Sequence, residues 1–259
     1  MTDDLRAVVL DVDGTLVDSE RDGHRVAFNL AFEELGLPYR WDPELYGELL
    51  LVTGGERRLA SYLEGQGQGE AERSELARRL HRRKTELFQE LIQDGRVQPR
   101  PGVTELLDEL AAERVRVSVA TTGSRAWVAP LLDRLFGLDR FEVVITGDEV
   151  DVLKPDPAAY LQALEAMEVP PAPDVVALED SRNGLVAARA AGLSCVVVVN
   201  DYTREQDFSG SELVLDGYGA DSAPRVLHDP YRLAPDRRLD VATMRRVAAA
   251  RSAGDAAGR

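Results

Sequence analysis

Residues 7–20 read AVVLDVDGTLVDSE. The apolar run Ala7-Val8-Val9-Leu10 stops abruptly at Asp11, and a second acid, Asp13, follows before Gly14 and Thr15. A short, continuous and β-branched run reads as a strand buried on both faces, the kind found in parallel sheets, and the spacing predicts it over residues 6–10. Two carboxylates at the mouth of such a strand are costly to desolvate, so something must compensate them.

Similar runs recur downstream: Val115–Ala120 (VRVSVA), Glu142–Thr146 (EVVIT), Val175–Leu178 (VVAL), Cys195–Val199 (CVVVV) and a weaker one at Leu213–Leu215. Helical patterns lie between them, in VTELLDELAAE after Pro101-Gly102, in AWVAPLLDRLF, in DPAAYLQALEAM and in NGLVAARAAG. Strand alternating with helix predicts an α/β fold with a parallel sheet and helices on both faces. Residues 20–98 break the rhythm. Phe28, Ala31, Phe32 and Leu35 repeat at helical spacing, Glu70 to Gln93 reads as one or two long helices, and Gly65-Gln66-Gly67-Gln68-Gly69 reads as a flexible loop. The expected organisation is a catalytic core from residues 1–18 and 99–232, an inserted all-helical block over 19–98, and a C-terminal helix and partly disordered tail over 233–259.

The 259 residues are 44% hydrophobic and 30% charged, the balance of a globular protein. A formal net charge of −15 argues against nucleic acid or an anionic membrane as a partner, since both select a basic footprint. No run of 18 apolar residues occurs, the start MTDDLRAVVL lacks signal-peptide character, and Cys195 is the single cysteine. A cytoplasmic location is the expectation. Of 31 basic residues only Lys84 and Lys154 are lysines.

Ligands of open parallel sheets bind outside the carboxyl ends of the strands. Here those ends carry Asp11 and Asp13, then Thr121 and Thr122, then Lys154-Pro155 beyond the EVVIT strand, then Glu179-Asp180. Taken singly, each has an ordinary structural reading: a turn or the start of an EF-hand loop, a strand end, the beginning of a helix, a helix cap. The EF-hand template fails, because Thr15 stands where an acid or Asn is needed. Together, and in this order, they suit phosphoryl transfer with Mg2+. An aspartate attacking a phosphate monoester meets like-charge repulsion of ~4 kcal/mol at ~4 Å and an effective dielectric of about 20. A hard cation between oxygen ligands removes most of it. Lysine and threonine hold phosphate oxygens, and a second carboxylate handles the proton on the leaving oxygen.

Asp11-Val12-Asp13-Gly14-Thr15-Leu16, Thr121, Lys154-Pro155 and Glu179-Asp180 resemble the four motifs of the haloacid dehalogenase superfamily, over about residues 6–217. The resemblance implies a Rossmann-like core with a helical cap inserted after the first strand. It implies Asp11 as nucleophile, Asp13 as general acid/base, and Mg2+ held by Asp11, the Asp13 carbonyl and Asp180. Thr121, Thr122 and Lys154 would bind the transferred phosphate, with Glu179 behind them. The cap sequence around Glu20, His24, Thr53-Gly54-Gly55, Arg58 and Lys84 is similar to the CbbY-type sugar-bisphosphate phosphatases, which are built like β-phosphoglucomutase. That similarity implies a small phosphorylated sugar, xylulose 1,5-bisphosphate, as substrate, read by Glu20, His24, Gly54, Gly55, Arg58 and Lys84, the last two near its distal phosphate. The group reads Gly-Gly-Lys-Glu-Arg, whereas here Glu56 and Arg57 follow Gly55. The competing expectations are a sugar phosphomutase, a phosphatase for another small ester such as phosphoglycolate, and an inactive module that only binds a phosphorylated ligand. The expected assembly is a monomer or a weak homodimer.

Overall fold

The computed structural model describes residues 5–67 and 69–257, with side chains as far as residue 250. Gln68 of the Gly-Gln-Gly-Gln-Gly loop, and Gly258 and Arg259 of the tail expected to be disordered, lie outside the described residues.

In chain order the elements are β1 (Ala7–Leu10), a π-helical turn (Glu20–His24), α1 (Arg25–Glu34), α2 (Pro43–Leu49), α3 (Gly55–Gly65), α4 (Glu70–Gln93), α5 (Val103–Ala112), β2 (Arg116–Ala120), α6 (Arg125–Phe136) and β3 (Val143–Ile145). There follow α7 (Ala158–Ala166), β4 (Val175–Glu179), α8 (Arg182–Ala190), β5 (Ser194–Val198), β6 (Leu213–Leu215), β7 (Val226–His228) and α9 (Val241–Ala257). The strands form one sheet in the order β3-β2-β1-β4-β5-β6-β7. All neighbours are parallel except β6 and β7. The fold is the expected α/β, Rossmann-like one.

Side-chain alternation explains why the strands read as continuous apolar runs. In β1, Val8 and Leu10 join the cluster containing α5, α6 and α9 residues, while Ala7 and Val9 join the one containing α7 and α8 residues. Both faces are therefore dry. β1 lies between β2 and β4, so the strand order turns there, and Leu10 is level with Val119 on one side and Leu178 on the other. This is the switch point at which such sheets bind ligands, and Asp11 is the next residue, its N–H donating to Leu178 O at 3.0 Å.

Between β1 and α5 the described residues form helices and loops. Asp42 caps α2 by accepting from Leu45 N at 2.8 Å, with Pro43 in the first turn. Phe28, Phe32, Trp41 and Tyr46 pack as tilted and edge-on rings, with Phe28 and Trp41 4.7 Å apart. Asn29 pins Trp41 through both main-chain groups at 2.8 Å. The segment 70–93, open between one helix and two, is a single helix.

Candidate active site

The ends of β1 and β4 and the loop after β3 bring four sequence-predicted residues together: Asp11, Lys154, Glu179 and Asp180. Lys154 is 4% exposed and donates to Asp11 Oδ1 at 2.7 Å and to Glu179 Oε1 at 2.5 Å. Tyr160 of α7 donates to the same Glu179 oxygen at 2.6 Å and sets its ring beneath the ammonium at 4.8 Å. Glu179 is thereby committed to holding Lys154. Asp180 is steadied from elsewhere: Asn200 Nδ2 donates to its Oδ2 at 2.6 Å, with Thr15 Oγ1 3.5 Å from Oδ1. Backbone approach here is close. Gly14 has φ +77°, and a Cβ there would lie 2.3 Å from Asp180 Oδ2. A Cβ on Gly184 would enter the Glu179 carboxylate at 1.9 Å, so glycine is required at both places.

Asp11, Glu179 and Asp180 offer carboxylate oxygens within 4.8 Å of one another and are the group of acids suited to a metal ion among the described residues. Two of these buried carboxylates, Asp11 and Glu179, share the Lys154 ammonium. Burial pushes Asp11 up to about 8, with Lys154 opposing and Glu179 reinforcing the rise. Burial, then Asp11 and Glu179, push Asp180 well above the usual carboxylate range. Surplus negative charge among hard oxygen donors is the chemistry that accepts a divalent cation such as Mg2+, so the residues present fit that group. Lys154 behaves oppositely: burial disfavours its charge, but Asp11 and Glu179 outweigh it and hold the ammonium protonated.

Asp13 faces the helices inserted after β1. Ser19 Oγ and His24 Nε2 both donate to Asp13 Oδ1, the latter at 2.8 Å. The opposite ring nitrogen, His24 Nδ1, accepts from Lys84 Nζ at 2.8 Å. The ring is clamped by Phe88 at 3.8 Å and Trp127 at 5.0 Å. Burial would raise the Asp13 carboxyl, but His24 and the bond from Ser19 override it and leave it below its usual value.

A cavity of about 340 Å3 opens over these acids, and its wall includes Asp11, Asp13, Lys154, Asp180, Thr122, Glu20, Gly54 and Arg58. Arg58, 8% exposed, donates to Leu49 O at 3.1 Å and Tyr46 OH at 3.2 Å, and Tyr46 OH donates to Glu20 Oε2 at 2.5 Å. Of the remaining predicted site residues, Thr121 is buried with its Oγ1 accepting from Gly123 N at 3.1 Å. Glu179, His24, Lys84 and Gly55 stand behind the wall rather than on it. Glu56 and Arg57 are exposed and neither lines the cavity.

Sequence reasoning missed Ser19 as a partner of Asp13, and missed Tyr46, Tyr160 and Asn200 altogether. Their partners lie 6, 26, 19 and 20 residues away, and single polar residues at such spacings carry no motif. The sole available signal was the position of Asn200 immediately after the β5 run, at another strand end.

This architecture and strand-end chemistry define a phosphate-ester hydrolase. Residues 5–192 match the haloacid dehalogenase-like hydrolases, and the chain belongs to that family. Within it, the chain is similar to the CBBY-like protein of Arabidopsis thaliana, 41% identical over 244 residues covering 91% of this chain and 72% of that one. It is also similar to Protein CbbY of Rhodobacter capsulatus, 44% identical over 212 residues covering 81% and 92%. Among solved structures, CbbY from Rhodobacter sphaeroides in complex with phosphate superposes with a TM-score of 0.75 at 42% identity, covering 82% of this chain and 94% of that one. A variant of the same protein in complex with xylulose-(1,5)bisphosphate gives 0.73 at 41% identity and the same coverage. The chain is a CbbY-like phosphatase.

Proposed function

We propose that this enzyme removes one phosphate from a sugar bisphosphate, xylulose 1,5-bisphosphate, through a phosphoaspartate on Asp11. The observation that carries the reading is one cavity with Asp11, Asp13, Asp180 and Lys154 on its core side and Glu20, Gly54 and Arg58 on its cap side. The similar CbbY structures with phosphate and with xylulose bisphosphate support it.

Asp11 attacks phosphorus, and the bond from phosphorus to the sugar oxygen breaks as Asp13 gives that oxygen its proton. Asp13 then takes a proton from water, whose oxygen attacks phosphorus, releasing inorganic phosphate and restoring the Asp11 carboxylate. Lys154, Thr121 and Thr122 hold the transferred phosphate. Arg58 reads the distal phosphate and Glu20 a sugar hydroxyl, while His24, with Lys84 behind it, keeps Asp13 aimed. Mg2+ on the Asp11 and Asp180 carboxylates and the Asp13 carbonyl would neutralise charge between enzyme and ester. Residues 19–98 act as a cap that excludes water from the core formed by 1–18 and 99–232.

A phosphate-release screen over sugar mono- and bisphosphates with Mg2+ tests this. The expected result is fastest turnover of xylulose 1,5-bisphosphate, one phosphate per sugar, with Asp11→Asn losing at least ~10³-fold in kcat at an unchanged circular dichroism spectrum. Conversion to an isomeric sugar phosphate, or substantial activity in Asp11→Asn, would overturn it.

A further inference from the structure

The geometry points to Asn183 and Thr53 as a latch that positions the α2–α3 loop over the phosphate site and so sets how strongly a bisphosphate is preferred to a simple monoester. Asn183 is the second residue of α8, three after Asp180, and Thr53 immediately precedes Gly54-Gly55 at the start of α3. Asn183 Nδ2 donates to Thr53 Oγ1 at 3.1 Å across 130 residues of chain, and both residues line the cavity.

The other polar contacts between cap and core fall outside the α2–α3 loop: Ser19 Oγ and His24 Nε2 donate to Asp13 Oδ1 beside β1. Arg21 and Asp201 pair at 2.6 Å with both side chains well exposed, at 48% and 64%, and such pairs hold weakly. Tyr46 and Tyr202 meet edge-on at 5.9 Å, a contact that tolerates sliding. Gln89 donates to Ala126 O from the far end of α4. The Thr53–Asn183 bond is directional and lies on the cavity wall. In the loop it ties down, Leu50 packs against the hydrophobic cluster, but beyond it Leu51 is 76% exposed and Gly54 occupies φ +92°. Arg58 follows one turn along the same helix, so the bond fixes where the distal-phosphate reader begins. Asn183 and Thr53 are positioning residues.

Thr53→Val, Asn183→Ala, their double variant and Thr53→Ser test the latch. The kinetic arm rests on the bisphosphate reading above; the exchange arm does not. Loss of one neutral hydrogen bond should lower the ratio of kcat/KM for xylulose 1,5-bisphosphate to that for p-nitrophenyl phosphate by about 3- to 10-fold in either single variant. The double variant should fall no further, because the two changes remove the same bond, and Thr53→Ser should retain the wild-type ratio. In the substrate-free enzyme, amide hydrogen exchange over residues 50–55 should rise in Thr53→Val and Asn183→Ala but not in Thr53→Ser. Unchanged exchange over that segment, additive effects in the double variant, or equal losses on the two esters would overturn the latch. If the wild type hydrolyses neither ester, the bisphosphate reading fails and exchange alone decides the latch.

Discussion

Lys84 and Lys154 are both almost out of water, at 5% and 4% exposure, yet burial has opposite outcomes for them. Lys154 meets two carboxylates, whereas Lys84 meets an imidazole nitrogen at 2.8 Å and the faces of Phe28 and Phe88 at 4.9 and 5.1 Å. Desolvation dominates at Lys84, and although Glu20 and Asp13 oppose it, the amine is lowered from 10.5 to about 8. The unfolded chain therefore binds that proton more tightly than the folded one. Stability contributed at this site is lowest below pH about 8 and rises as pH climbs from about 8 toward 10.5. Lys84→Met should consequently raise unfolding free energy at pH 7 by about 1–3 kcal/mol, a gain that fades toward pH ~10. It should also lower kcat at least ~10-fold, because His24 loses the donor on Nδ1 that directs its other N–H to Asp13. Urea unfolding at the two pH values checks the first part. A variant less stable than wild type at pH 7 would mean that contacts of the ammonium outweigh its desolvation. The acids at the strand ends were legible because their position relative to an apolar run is local. The Asp13–His24–Lys84 chain was not, since it joins residues 11 and 60 positions apart.

Arg100 shows how the fold couples elements. It lies between α4 and α5, and its main-chain N–H donates to Leu16 O at 2.9 Å. Its guanidinium donates to Gly14 O, to Val198 O at 2.8 Å and to Val199 O at 2.7 Å, with Tyr218 stacked at 5.4 Å. One side chain thus ties the loop after β1 to the end of β5, from which Asn200 reaches Asp180. Arg100→Met should lower stability by about 1–3 kcal/mol and, at the proposed metal site, weaken Mg2+ binding measured by calorimetry, since the loop after β1 and the β5 end that carries Asn200 to Asp180 lose their common brace. Mg2+ affinity equal to that of wild type would show that the loops hold their shape without it. This brace was invisible in the sequence, where Arg100 stood within an expected hinge, because its partners are main-chain carbonyls. The elements themselves were readable, and the residues by which they differ have local causes. β2 begins at Arg116 rather than Val115 because Arg114 turns at φ +56° and Val115 N still bonds Leu110 O. β3 ends at Ile145 because Thr146 caps a 3-10 turn, in a reciprocal box with Glu149. β7 escaped notice: it is three exposed residues, made a strand only by antiparallel pairing with β6.

At the scale of the whole molecule, an anionic substrate must approach a protein with 46 acidic and 31 basic residues. Of the cations lining the cavity, Lys154 and Arg58 are buried and act at short range, while the more exposed Arg182 is paired with Asp207 at 3.6 Å, so the long-range field that an incoming phosphate ester meets is set mainly by the net charge of −15. These two ranges respond differently to salt. The Debye length is about 30 Å at ~0.01 M and about 8 Å at ~0.15 M, so added salt screens the surface acids first and the buried cations little. kcat/KM for a sugar bisphosphate should therefore rise roughly two- to fivefold between those ionic strengths, with kcat nearly constant, and a monophosphate should show a smaller rise because it carries less charge through the same field. Steady-state kinetics in sodium chloride, with Mg2+ kept saturating, separate the effect from metal loading. A steady decline with salt would mean that the cavity's cations project beyond its mouth and dominate the approach. In that case the Arg58 side of the cap, rather than the overall composition, governs how substrate is gathered.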